Sequence, residues 1–90
     1  MSNLPPYLPD CDPHERLFPG EWKESYFRRH FNKNAGGYIC PDCDELFIGP
    51  SGFEQLHADH RVPISQGGLT VWENMNLLCG SCNMKKGNSY

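Results

Sequence analysis

Cys40-Pro41-Asp42-Cys43 and, after residues 44–78, Cys79-Gly80-Ser81-Cys82 place four thiols in two Cys-x-x-Cys pairs. A tight turn aims both sulfurs of such a pair at one point, so two pairs supply the tetrahedral donor set of one structural Zn²⁺. A redox dithiol would need a thioredoxin-like βαβ setting, which the flanking residues lack. The fifth cysteine, Cys11, has no Cys or His at knuckle spacing beside it and reads as a bystander thiol. Inside the segment that the knuckles enclose stands the run His57-Ala58-Asp59-His60. The cysteines read as structural and what they enclose as functional.

A chain of 90 residues is one domain at most, and at that size it buries little apolar surface, so a structural metal would supply stability the core lacks. Its 38% apolar content is that of a globular protein, and no apolar run approaches the ~18 residues of a membrane span. Met1-Ser2-Asn3-Leu4-Pro5-Pro6 has neither the basic region nor the apolar core of a signal peptide. The expectation is a soluble cytoplasmic protein with reduced thiols, no membrane partner and metal in preference to disulfides. A formal net charge of −3 argues against a domain that wraps nucleic acid through charge alone. Affinity for nucleic acid must then come from local patches and from a bound cation.

Outward from the knuckles, residues 1–19 carry Pro5, Pro6, Pro9, Pro13 and Pro19, which withhold amide donors and predict a Pro-rich arm draped on the surface. From Gly20 to Asn34 the spacing of Trp22, Tyr26, Phe27 and Phe31 predicts one amphipathic helix, stopped by Gly36-Gly37, its aromatic side packed on the ribbon. Lys23, Arg28, Arg29, His30 and Lys33 concentrate positive charge there, and Arg28 and Arg29 are candidate phosphate contacts. Residues 20–90 are expected to form the single domain.

Between the knuckles, Phe53 to Val62 reads as a strand ended by Pro63, Gly67-Gly68 as a turn, and Leu69-Thr70-Val71-Trp72 as the returning strand, with Trp72 in the core. Gly80 to Lys86 reads as a short helix capped by Gly87. Asp59 and His60, being neighbours on a strand, point to opposite faces and serve different partners. A carboxylate suits Mg²⁺ or Mn²⁺, and a neutral imidazole near pKa ~6.5 suits proton abstraction from water. His57 has the parity of Asp59 and could reach nucleic acid; His14 and His30 have no partner pattern.

Asp59-His60-x-x-Pro63-x-x-x-Gly67-Gly68, followed by Asn74-x-x-Leu77-Leu78-Cys79-x-x-Cys82-Asn83-x-x-Lys86-Gly87, resembles the HNH endonucleases of the ββα-metal class, in their Cys₄ zinc-ribbon branch. The resemblance spans residues 40–87. It implies an α+β fold: a small ββα-metal unit pinned by a Cys₄ zinc ribbon formed by Cys40, Cys43, Cys79 and Cys82, preceded by a helix and the Pro-rich arm. It implies that His60 is the general base and that Asn74 holds that histidine through a backbone or side-chain hydrogen bond. Asn83 stands where many members have a final His and would ligate a catalytic Mg²⁺ or Mn²⁺ together with Asp59. Lys86 occupies a family position suited to phosphate contact; Arg61 and Lys85 are close enough in sequence to share that task.

The expected activity is metal-dependent hydrolysis of double-stranded DNA. A monomer with one site would nick, and double-strand breaks would need a homodimer or two visits. The resemblance suggests a bacterial or phage-encoded protein, since short members of this kind are often encoded by phages or prophages or serve in restriction. RNA cleavage through the 2′-hydroxyl would make an Asp59/Asn83 cation unnecessary, which points to DNA. The alternative is a zinc-ribbon module that binds nucleic acid without cutting it, which leaves Asp59, His60, Asn74 and Asn83 as coincidence.

Overall fold

The computed structural model describes residues 4–86 of the chain. It is an α+β fold of two small antiparallel sheets and three helices. In chain order these are α1 (Gly20–Arg29), β1 (Tyr38–Ile39), β2 (Leu46–Phe47), α2 (Gly49–Glu54), β3 (Leu56–His60), β4 (Met75–Cys79) and α3 (Gly80–Lys86). Single 3₁₀ turns at Ile64–Gln66 and Trp72–Asn74 punctuate the connection from β3 to β4.

Helix α1 starts directly after Pro19, whose carbonyl accepts the Trp22 amide at 3.0 Å. Glu21 in its first turn and Arg28 and Arg29 in its last complement the helix dipole. The helix ends at Arg29, five residues before the Asn34 expected from periodicity. The reason is Asn32: its Oδ1 accepts the Ala35 amide at 2.9 Å, and its backbone N–H and C=O pair with Gly37 and Gly36. An Asn side chain offering this local turn outcompetes helix continuation. Phe31 consequently stands 45% exposed rather than in the core. Trp22 and Tyr26 are buried, Phe27 and Trp72 pack against them, and the Tyr26 and Trp72 rings meet edge to face at 5.8 Å.

Strands β3 and β4 pair in the register Leu56↔Cys79, Ala58↔Leu77 and His60↔Met75. Leu56, Met75 and Leu77 are completely buried, each worth roughly 1.5–3 kcal/mol of transfer free energy. The strand expected over Phe53–Val62 is shorter because Phe53 and Glu54 belong to α2, where the Phe53 ring meets Phe27 edge to face at 5.2 Å. The returning strand is Met75–Cys79 and not Leu69–Trp72. Thr70 is drawn off by the arm, its amide donating to the Pro13 carbonyl at 2.8 Å, and Trp72 opens a 3₁₀ turn. Helix α3 follows β4 without a linker; the Gly87 cap lies outside the described residues.

The arm does more than drape over the surface. Leu4, Leu8, Cys11 and Phe18 pack against the core, and Trp22 Nε1 donates to the Pro9 carbonyl at 2.8 Å. No helix among the described residues is long and apolar enough to cross a membrane.

Candidate active site

The sulfurs of Cys40, Cys43, Cys79 and Cys82 all lie within 4.8 Å of one another, with Cys43 and Cys79 3.7 Å apart. A disulfide would bring two sulfurs to ~2.05 Å, whereas a tetrahedral zinc with Zn–S of ~2.3 Å separates them by about 3.8 Å. The donor set therefore fits one structural zinc. The first knuckle closes through Cys40 N–H to the Glu45 carbonyl and Asp44 N–H to the Cys40 carbonyl, both 2.9 Å, with Asp44 in the left-handed region at φ 62°. The second is the junction of β4 and α3. Burial opposes ionisation of Cys40, but backbone amides of Cys79, Cys43 and Asp42 prevail and bring its thiol down to about 7. Burial and neighbouring sulfurs push Cys82 up. Four thiolates at this spacing need a cation to coexist. Cys11, half-buried and bonded through Sγ to the Asp12 carbonyl at 3.5 Å, stands outside the cluster.

At the far end of the β3–β4 hairpin lies His60, 5% exposed. Its Nε2 is 2.8 Å from Thr70 Oγ1, and its ring lies 4.3 Å from that of Phe18. Burial lowers the imidazole pKa; the Asp59 carboxylate opposes the shift and the Lys86 ammonium adds to it. The ring is thereby kept neutral around pH 7, the form that can accept a proton.

Asn74 closes the loop that leaves His60. Its Oδ1 accepts the Val62 amide at 2.9 Å, its Nδ2 donates to the Val62 and Leu69 carbonyls at 3.1 and 2.8 Å, and its own carbonyl accepts the Arg61 amide at 2.8 Å. These bonds grip the two residues after His60 and not the imidazole, so the direct bond expected from Asn74 to the histidine is made by Thr70 instead. Gly68 completes the loop: a Cβ there would lie 1.7 Å from the Val62 carbonyl oxygen.

Asp59 is fully buried, with Oδ2 2.5 Å from Lys86 Nζ, and Lys86 also donates to the His60 carbonyl at 2.8 Å. This lysine, expected to meet phosphate, is turned inward onto the carboxylate. Asn83 sits three residues before it on α3, immediately after Cys82 of the four-cysteine cluster, and α3 packs on β3. His60, Asn83 and His57 line one cleft of about 670 Å³.

The cations that border this cleft are Arg16 and Lys23. Lys23 belongs to the basic cluster of the first helix, whereas Arg16 stands alone on the Pro-rich arm, outside any basic cluster of the sequence. Arg28 and Arg29 instead line a separate hollow with Tyr7, Glu21 and Glu24, and Arg28 is paired with Glu24 at 2.6 Å. Arg61 is exposed and donates to the Tyr26 hydroxyl at 3.0 Å, and Lys85 is exposed in the last turn of α3. Thr70, Glu15 and Phe18, which surround the imidazole, were not identified from sequence, because no local pattern connects residues 15–18 to residues 60 and 70.

A family model described as HNH endonuclease matches residues 40–89. That span holds both Cys pairs, Asp59, His60, Asn74 and Asn83. Neither the curated proteins nor the solved structures gave a significant match.

Proposed function

Because the chain belongs to the HNH endonuclease family, we propose that it hydrolyses phosphodiester bonds of double-stranded DNA with a water activated by His60. The observation that carries this reading is the convergence of a buried, neutral imidazole, Asn83 and the cations of Arg16 and Lys23 on one cleft. His60 accepts a proton as the water oxygen bonds to phosphorus in line; the bond to the 3′ oxygen breaks, and that oxygen leaves with the electron pair and takes a proton from solvent, giving a 5′-phosphate and a 3′-hydroxyl. Arg16 and Lys23 attract the phosphate chain, and Asn74 keeps the loop after the base closed.

Asp59 and Asn83 offer hard oxygen donors on two elements that pack together, and Asp59 already lies against a cation, Lys86. Asn83 borders the cleft and Asp59, held by Lys86, does not; with Lys86 displaced the two would hold Mg²⁺ or Mn²⁺, which would neutralise charge building on the phosphate oxygens. Zinc at the four cysteines is structural; through Cys79 and Cys82 it fixes the first turn of α3 and hence Asn83. One site per chain makes nicking the natural output of a monomer, and double-strand cleavage the output of a homodimer or of repeated visits.

A second reading, a zinc-ribbon module that binds nucleic acid without cutting, is favoured by one observation: Lys86 occupies the carboxylate that the cation would need. Supercoiled plasmid incubated with the zinc-loaded protein and Mg²⁺, Mn²⁺ or EDTA separates the two. Metal-dependent open circles from the wild type but not from His60→Ala, at unchanged zinc content, support the nuclease. Retained cleavage by His60→Ala refutes the base assignment, and binding without cleavage under every metal favours the module.

A further inference from the structure

We propose that Thr70 is a positioning residue for the base, and that through it the amino-terminal arm belongs to the catalytic apparatus; this rests on the reading of His60 as that base. The hydrogen-bond inventory carries the argument. Thr70 is completely buried. Its hydroxyl owns a single proton and has two neighbours, the Glu15 carbonyl oxygen and His60 Nε2. A carbonyl only accepts, so the hydroxyl proton goes to Glu15. His60 Nε2 must then be the donor to Thr70 Oγ1, and the neutral ring is the Nε2–H tautomer. That leaves the Nδ1 lone pair as the one that can take a proton from water.

The orientation is held from two further sides. The Thr70 amide donates to the Pro13 carbonyl at 2.8 Å, so backbone and side chain of this residue are both tied to the arm. The Phe18 ring, on the same arm, lies 4.3 Å from the imidazole at an interplanar angle of 31°. The arm therefore sets both which nitrogen is protonated and the plane of the ring. The same logic orients metal-bound histidines, where partners of this kind alter function by roughly 10–100-fold.

The test uses full-length, zinc-loaded protein and two variants. Thr70→Val keeps the shape and removes the hydroxyl that donates to the Glu15 backbone carbonyl, and Thr70→Ser keeps the hydroxyl. We expect Thr70→Val to lower kcat for plasmid nicking by about 10–100-fold with KM unchanged, and the conservative Thr70→Ser to restore cleavage. Nitrogen-15 NMR of the His60 ring should show Nε2–H in the wild type and in Thr70→Ser, and a tautomer mixture in Thr70→Val. Wild-type kcat in Thr70→Val beside an inactive His60→Ala overturns the proposal, as does an Nδ1–H ring in the wild type. A wild-type protein that never cleaves overturns the base reading and the positioning role with it, while the ring spectrum still decides the wiring.

Discussion

Replacing Cys43 by Ala isolates what the metal contributes to folding. Cys40, Cys79 and Cys82 are buried, so their loss mixes cavity formation with loss of a ligand, whereas Cys43 is exposed at the knuckle tip. The folded chain exposes 5881 Å², against roughly 15,000 Å² for an unfolded chain of its mass. Burial of about 60% is typical of small, marginal domains. At about 0.05–0.15 kcal/mol per residue, a fold of this length has a net stability of roughly 5–13 kcal/mol. Structural zinc contributes ~10–16 kcal/mol in small zinc domains, as much as the whole net stability. Cys43→Ala should therefore lose zinc and no longer fold cooperatively, since ~10–16 kcal/mol at ~4–8 °C per kcal/mol lowers the melt by at least about 40 °C. Leu46→Ala, on the same hairpin and 39% exposed, is the control and should shift the melt by only a few degrees. Zinc content by metal analysis and thermal melts by circular dichroism check both. A Cys43→Ala protein that keeps one zinc, or a wild type whose melt is unmoved by chelation, would refute the reasoning.

Other consequences can be measured directly. Asn74→Ala removes three side-chain hydrogen bonds to Val62 and Leu69 and should cost about 2 kcal/mol, read as a melt lowered by about 10 °C; an unchanged melt would deny the clamp. Gly68→Ala drives a Cβ into the Val62 backbone carbonyl at 1.7 Å, which no rotamer relieves, so it should destabilise by more than about 2 kcal/mol in urea unfolding. For pH, the base must be neutral, and burial moves His60 below the usual imidazole value. Log kcat for nicking should then rise with pH below ~6.5 and be flat above it; a midpoint at or above 6.5 contradicts the buried-base geometry.

Features encoded by local spacing were legible in the sequence. The four-cysteine cluster follows from two short Cys pairs, and helix α3 from the eight residues around the second pair. The β4 strand was misplaced because Met75-Asn76-Leu77-Leu78-Cys79 lacks the β-branched residues that Leu69-Thr70-Val71 displays. Thr70 and Val71 carry that signature, yet the arm captures the Thr70 backbone; tertiary context outweighed propensity. The end of α1 was set by one Asn side chain, a bond that hydrophobic periodicity does not register. The basic cluster on α1 was visible as charge, but which cations face the cleft depends on helix rotation and on the arm, so Lys23 and Arg16 border it while Arg28 and Arg29 do not.

The hairpin explains why one small fold needs two fasteners. Cys79 is paired with Leu56 at one end of the β3–β4 ladder and Met75 with His60 at the other, a distance of roughly 14 Å at ~3.4 Å per residue. Zinc can fix the strand register and the start of α3, which positions Asn83, but nothing at that range dictates the ring orientation of His60. A two-stranded ladder alone is too weak to hold its distal end. There the Asn74 bonds close the loop and the arm supplies Thr70 with its partners Pro13 and Glu15, while Phe18 covers the ring. Loss of zinc should thus abolish folding, whereas loss of the Thr70 hydroxyl should spare the fold and impair the chemistry; observing the two effects separately is the strongest check that structure and catalysis are secured by different ends of the same hairpin.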